Sequence, residues 1–284
     1  MTVFTLIVLF AGVVAYVAAT AAAVVFLLRE RDAFLRVGCR LALMGMCLFL
    51  LVFVLRWVTW GNLPMTTVAD ALVVFVILAT LVMFCSARGK TKAVSSFYLP
   101  PILVLAVLCA VTAPTAFMDA PKALRGVFLA GHVSLAFLAY AFFLGASVTS
   151  VAYLFQARHL KNHDTRGLFQ TLPSLERLDQ SLYSLIRHGY IVFALTLIVG
   201  GIWVRVDAEL VGPRWYLAPK ILQAVAMVAF YAFVFHTRQF GRLRGRKLAI
   251  AVLLGFSIMF VVYLLRAGLG VSYYHFWEST AWAS

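Results

Sequence analysis

The chain has 284 residues, of which 64% are hydrophobic and 12% charged, and its formal net charge is +14. So much apolar surface cannot be buried in one soluble core, and the composition therefore excludes a water-soluble globular protein and indicates a membrane protein. The basic residues fall in short loops between apolar runs, where positive charge normally sets the orientation in which the helices insert into the membrane. We therefore expect the lipid bilayer as surroundings and no nucleic-acid partner.

Apolar runs of about 20 residues predict about eight transmembrane helices. Backbone groups in lipid must be satisfied within the chain, and these runs lack the alternation of barrel strands, so the predicted fold class is all-α. The first run has neither a basic stretch before it nor a small-residue cleavage site after it, which predicts a retained helix. The predicted helices cover residues 4–28, 38–56, 70–87, 97–117, 127–157, 187–206, 219–237 and 248–269.

The loops alternate in basicity along the chain. Arg and Lys are concentrated after the first, third and seventh predicted helices, whereas loops 57–69 and 207–218 contain more Trp, Pro and Gly. Because basic loops stay in the cytoplasm, both chain termini are predicted to lie outside. Below, the side with the basic loops is called the basic end, and the side with loops 57–69 and 207–218 the outer end.

The longest polar stretch, residues 158–186, precedes the sixth predicted helix. Its leucines recur at spacings of three and four, which predicts an amphipathic cytoplasmic helix along the inner membrane surface. A helix start is predicted at Ser174, after Pro173. We find no internal repeat and no soluble domain, so residues 1–284 are predicted to form a single membrane domain that includes this connecting helix.

Two histidines, His132 in the fifth helix and His275 after the eighth, are predicted at the same depth near the outer end. Two neutral imidazoles on opposite sides of an iron suffice as axial ligands of haem. His236 ends the seventh helix near the basic end and cannot ligate the same iron. His236 and His188 could bind a second haem, relay a proton or simply be solvated. A histidine near a helix end is also commonly hydrogen-bonded to a neighbour, so these alternatives stay open.

Charged residues near the outer end also allow two interpretations. Asp70 begins the third helix, where a carboxylate caps the helix and gains from its dipole. The arginines and the lysine of this end could bind haem propionates or extend to lipid phosphates. The sequence contains no Walker loop, zinc-protease motif or nucleophile elbow, which argues against nucleotide-driven or hydrolytic chemistry.

Several stretches together resemble CcsA-type cytochrome c biogenesis proteins, of the cytochrome c assembly family. One is the loop that begins Arg56-Trp57 and ends at Asp70, and another is the helix that begins Gly131-His132 and includes Tyr140. The others are Leu172-Pro173-Ser174-Leu175-Glu176-Arg177-Leu178-Asp179 through Tyr183 and Gly189, then Gly200-Gly201-Ile202-Trp203, and Phe235-His236-Thr237-Arg238.

The resemblance implies a protein of the bacterial plasma membrane that binds haem b, as a substrate, at the outer face. It further implies presentation of that haem to apocytochrome c together with a second membrane subunit of a cytochrome c synthase (haem lyase). By matching position, His132 is one outer haem ligand and His236 is the histidine near the inner face. No catalytic residue is predicted, and the remaining candidate haem-site residues are Trp215, Trp203, Trp57, Asp70, Tyr140 and, as the second iron ligand, His275.

The chain departs from the family pattern at two places. Residues 211–220 lack two of the three tryptophans and the aspartate of the family's outer loop. The family's second outer histidine aligns with Val271, and His275 follows four residues later. A second branch of the same superfamily, the HemX-type proteins, also lacks the full tryptophan loop. It leaves open an alternative function, control of haem synthesis through a cytoplasmic partner.

Overall fold

The computed structural model describes residues 3–61, 63–65, 67–113, 127–162, 168–206 and 219–268. These residues form helices and contain no strand. This confirms the predicted all-α fold. The helices are α1 (Val3–Arg29), α2 (Asp32–Trp60), α3 (Val68–Ser86), α4 (Ser95–Val111), α5 (Val127–Lys161), α6 (Leu168–Thr171), α7 (Leu175–Val206), α8 (Pro219–Gln239) and α9 (Arg246–Gly268), with a 3₁₀ turn at Gly89–Val94.

Seven of the described helices, α1 to α5, α7 and α8, are long and apolar enough to cross a bilayer. Helix α9 lies where the sequence predicts the eighth span. The apolar runs therefore locate every long helix of the described chain, and the protein is a multi-pass membrane protein. The orientation with both termini outside stays a prediction.

Helices α3 and α5 form the centre of the bundle, and α8 lies at its edge. In the most apolar part of each helix, 67% of the residues of α3 and of α5 are buried, against 17% for α8. Helix α3 contacts α2, α4 and α5, while α5 also packs against α7 and α9. The core is mainly aliphatic and aromatic, and one buried hydrogen bond, 2.7 Å between the hydroxyls of Tyr16 and Thr80, joins α1 to α3.

The described part of the predicted connecting segment, residues 158–162 and 168–186, is divided among α5, α6 and α7 and contains no separate surface helix. Helix α5 continues to Lys161, the short α6 follows, and α7 begins at Leu175 and runs without a break into the sixth predicted span. The Leu178 N–H donates to the Ser174 carbonyl at 3.0 Å, in line with the predicted helix start. The leucines of this segment pack into the bundle. Their spacing fits this environment as well as the predicted one, because an apolar stripe can face either a membrane surface or neighbouring helices. Buried among them are Leu178, Leu182 and Leu185.

Candidate functional site

His132 lies near the start of α5, at the outer end, and faces α7. Its Nδ1 atom is 3.0 Å from the carbonyl oxygen of Thr196. The imidazole also lies directly against Gly200, one helical turn further along α7. The side chain is partly buried. The backbone of α7 therefore sets the position and the tilt of this imidazole.

The hydrogen bond from His132 also determines which ring nitrogen carries the proton. A carbonyl oxygen can only accept, so Nδ1–H is the donor, and in the neutral ring the lone pair is on Nε2. Histidines that bind a metal commonly donate their other N–H to a backbone carbonyl or a carboxylate in this way. The arrangement thus has the tautomer that ligation of iron through Nε2 requires.

Tyr140 lies on the same side of α5 as His132, about 12 Å deeper along the helix at 1.5 Å per residue. Its ring centroid is 5.5 Å from that of Phe193 on α7 and 6.1 Å from that of Phe137. Phe143 continues this aromatic interface, with its ring 6.0 Å from that of Phe193. Tyr140 therefore forms part of the packed layer beneath His132.

Asp70 forms a buried ion pair with Arg56 at the corner between α2 and α3. Arg56 Nη1 is 2.8 Å from Asp70 Oδ1, and the two side chains are 3% and 0% exposed. The Arg56 guanidinium also stacks over Trp60, 4.1 Å from the ring centroid. The sequence alone does not single out this pair, although a short connection between antiparallel helices places the residues that flank it at the same depth.

The N-terminus of α3 is closed by a capping box between Thr67 and Asp70. The Asp70 N–H donates to Thr67 Oγ1 at 3.1 Å, and the Thr67 hydroxyl and N–H donate to Asp70 Oδ2 at 2.8 and 3.1 Å. This confirms the predicted capping role of Asp70. Its described contacts all anchor loop 57–69 to the bundle.

The other candidate residues of the outer end are described less completely. Trp57 is 48% exposed and contacts Phe53 edge-on. Trp203 belongs to α7, but its side chain is outside the described part of the structure, as are His275 and Trp215 altogether. Among the described residues, no three His, Cys, Asp or Glu side chains form a cluster that could hold a metal ion.

An apolar groove of about 280 Å³ lies between α2, α3 and α5. Its lining includes Phe53, Met65, Ser134 and Leu138. His132 is not among the lining residues. Because consecutive positions of a helix are 100° apart, Ser134 and His132 lie on opposite faces of α5. The groove and the His132 site are therefore separate features.

At the basic end, His236 and His188 have different neighbours. His236 is exposed in the last turn of α8, with its ring centroid 6.5 Å from that of Tyr190. His188 is exposed on α7, stacks on Phe142 of α5, and has Nδ1 2.7 Å from the Ser184 carbonyl oxygen. The structure thus separates these two histidines from the outer end and gives each its own contacts.

Two of the sequence stretches quoted above meet at the basic end. Asp179 of α7 forms an ion pair with Arg238 of α8, and its other oxygen accepts from the Gly245 N–H at 3.2 Å. The Arg238 guanidinium lies 5.4 Å from the Tyr183 ring centroid. Gly245 has φ +59°, a conformation that favours glycine. These contacts join α7, α8 and the turn before α9.

Comparison with known proteins gives one family. The sequence profile described as "Cytochrome C assembly protein" matches residues 41–270. The chain is similar to the protein named "Cytochrome c biogenesis protein CcsA" of Prochlorococcus marinus (strain MIT 9303), with 28% identity over 258 residues and 80% of each chain covered. It is also similar to the proteins of the same name from Synechococcus sp. (strain RCC307), 27% identical over 79% of this chain and 80% of the other, and from Chlorella vulgaris, 24% identical over 78% and 79%. Because the match extends over most of its length, the chain belongs to the cytochrome c assembly protein family.

Proposed function

We propose that this protein handles haem b in cytochrome c assembly, binding it at the outer end and presenting it for attachment to apocytochrome c. The observation that carries the proposal is the geometry of His132. A partly buried imidazole donates from Nδ1 to the Thr196 carbonyl oxygen, which is the supporting contact that metal-binding histidines commonly make. Membership of the family and the name of the relatives support the same assignment.

The second axial ligand in this proposal is His275, and the porphyrin packs on aromatic side chains of the outer end. Trp57, Trp203, Trp215 and Tyr140 are the candidates for these contacts. Asp70 contributes indirectly, because its ion pair with Arg56 anchors loop 57–69. His236, exposed at the basic end, is proposed as a haem contact on the opposite side of the membrane.

The chain needs no general acid or base in this function. Attachment of haem to cysteine thiols follows when both are held together, and the vinyl chemistry belongs to the haem itself. We propose a second membrane subunit as the partner and the bacterial plasma membrane as the location. Copurification with the tagged chain tests the partner, and membrane fractionation tests the location.

The first experiment is the visible absorption spectrum of detergent-purified protein, oxidised and dithionite-reduced, from haem-sufficient cells. We expect a sharp pair of reduced bands that weakens in His132→Ala and in His275→Ala. His188→Ala is the matched control, since it removes an exposed histidine at the basic end and leaves the bands unchanged. Absence of haem from every sample, or unchanged bands in His132→Ala, contradicts the proposal.

A further inference from the structure

We infer that Gly200 is a positioning residue for His132: its missing side chain is what allows the imidazole to lie on α7 with its donor at the Thr196 carbonyl. The inference rests on the proposed function and extends it to a residue that acts through His132. Gly200 and Thr196 are four positions apart on α7, so they present one continuous surface to α5.

The space at Gly200 is occupied by the ring of His132. A Cβ added there would be 2.6 Å from Cε1, 2.9 Å from Nδ1 and 3.5 Å from Nε2. The first two distances are shorter than real contacts of a Cβ atom, so the ring must move if the residue has a side chain. Because the ring is the far end of a side chain, it can turn away without displacing either helix.

A ring that moves away from Gly200 also moves away from the Thr196 carbonyl, since one surface supports both contacts. The imidazole then loses the hydrogen bond that fixes its tautomer and its tilt. Removal of a supporting contact of this kind typically lowers metal affinity 10- to 100-fold. Gly200→Ala is therefore expected to leave the fold intact and to weaken the haem site.

The neighbouring residue provides a matched control. Gly201 is the next residue of α7, and a Cβ there would meet no atom of the part of the chain that the structure describes within 4 Å. Gly→Ala at either position gives the same gain in helix propensity and the same loss of backbone freedom. Any difference between the two variants therefore reports the contact with His132.

The first measurement is a titration of the purified full-length protein, stripped of haem, with haem b in detergent. We expect Gly200→Ala to bind about 10- to 100-fold more weakly than the parent chain, with a shifted or broadened reduced band, and Gly201→Ala to bind as the parent chain does. Equal binding by Gly200→Ala and Gly201→Ala overturns the inference. If His132→Ala loses haem in the same experiment, the proposed function survives that failure.

The second measurement separates positioning from simple packing. The unfolding temperature of the haem-free protein is compared for Gly200→Ala, His132→Ala and the double variant. If Gly200 acts through His132, the destabilising effect of Gly200→Ala disappears once the ring is absent, because the new methyl group then meets no imidazole and only the gain in helix propensity remains. An equal loss in both backgrounds makes Gly200 a packing residue and overturns the inference. Unchanged haem binding in His132→Ala, by contrast, contradicts the proposed function. The unfolding temperatures of the three variants then still show whether Gly200 positions the His132 ring.

Discussion

Two polar contacts between helices lie near the outer end, and they differ in charge and in burial. At the corner of α2 and α3, Arg56 and Asp70 form an ion pair that is almost completely buried. At the interface of α5 and α7, a neutral and partly buried His132 ring meets a backbone carbonyl. Breaking a buried ion pair leaves an uncompensated charge, whereas a neutral bond to a carbonyl can be replaced at low cost. The difference indicates that the Arg56–Asp70 pair is a fixed support, whereas the His132 ring beside it can change its contact at low cost.

The largest effect is expected from Asp70→Ala. It leaves the Arg56 guanidinium buried without its carboxylate and removes half of the capping box. We expect the free energy of unfolding to fall by about 3–5 kcal/mol. The measurement is the amount and the unfolding temperature of the monodisperse protein in detergent.

Asp32→Ala is the control for this variant. Its ion pair with Lys92 spans 3.4 Å, and both side chains are 55% exposed. Such a pair contributes about 0–1 kcal/mol because water and salt screen it. Equal destabilisation by Asp70→Ala and Asp32→Ala would show that the α2–α3 corner is not a fixed support.

The sequence predicts the helices well because lipid imposes one rule on every span. Each apolar run of about 20 residues became a helix, and the structure adds only a few residues at most ends. The exceptions are α4, which ends at Val111 where the sequence predicts a helix to residue 117, and α7, which begins at Leu175 rather than at residue 187. Its leucine pattern cannot show whether the apolar stripe faces lipid headgroups or neighbouring helices, because the two environments select the same spacing.

The candidate site was only partly predictable. His132 was identifiable because an imidazole in an apolar helix is costly without a partner. The Thr196 carbonyl could not be found in advance, since every residue has one and only the packing of α5 on α7 selects it. Gly200 likewise has no signal of its own, because its neighbour Gly201 looks identical in the sequence, although a Cβ at Gly201 would meet no atom of the described residues within 4 Å.

A smaller effect is expected from Thr67→Ala, which tests the cap apart from the ion pair. The substitution removes the hydroxyl that accepts from the Asp70 N–H and donates to Oδ2. We expect a loss of about 0.5–2 kcal/mol in the free energy of unfolding, as for other N-cap threonines. The control is Thr59→Ala, an exposed threonine whose hydroxyl donates to the Leu55 carbonyl within α2. A loss in Thr67→Ala as large as that in Asp70→Ala would assign the support to the cap instead of to the charges.

Only a small effect on stability is expected from His132→Ala, the substitution with the largest expected effect on haem. Its bond is made to a carbonyl in the interior of α7, where helical N–H groups also donate, so removal of the ring leaves no uncompensated charge. We expect the haem-free protein to lose about 1 kcal/mol of unfolding free energy, while its reduced haem bands weaken strongly. Thermal unfolding and absorption spectra of the same sample measure the two effects together. A loss of stability as large as that of Asp70→Ala, with unchanged haem bands, would reverse the comparison, because the α5–α7 contact would then be structural.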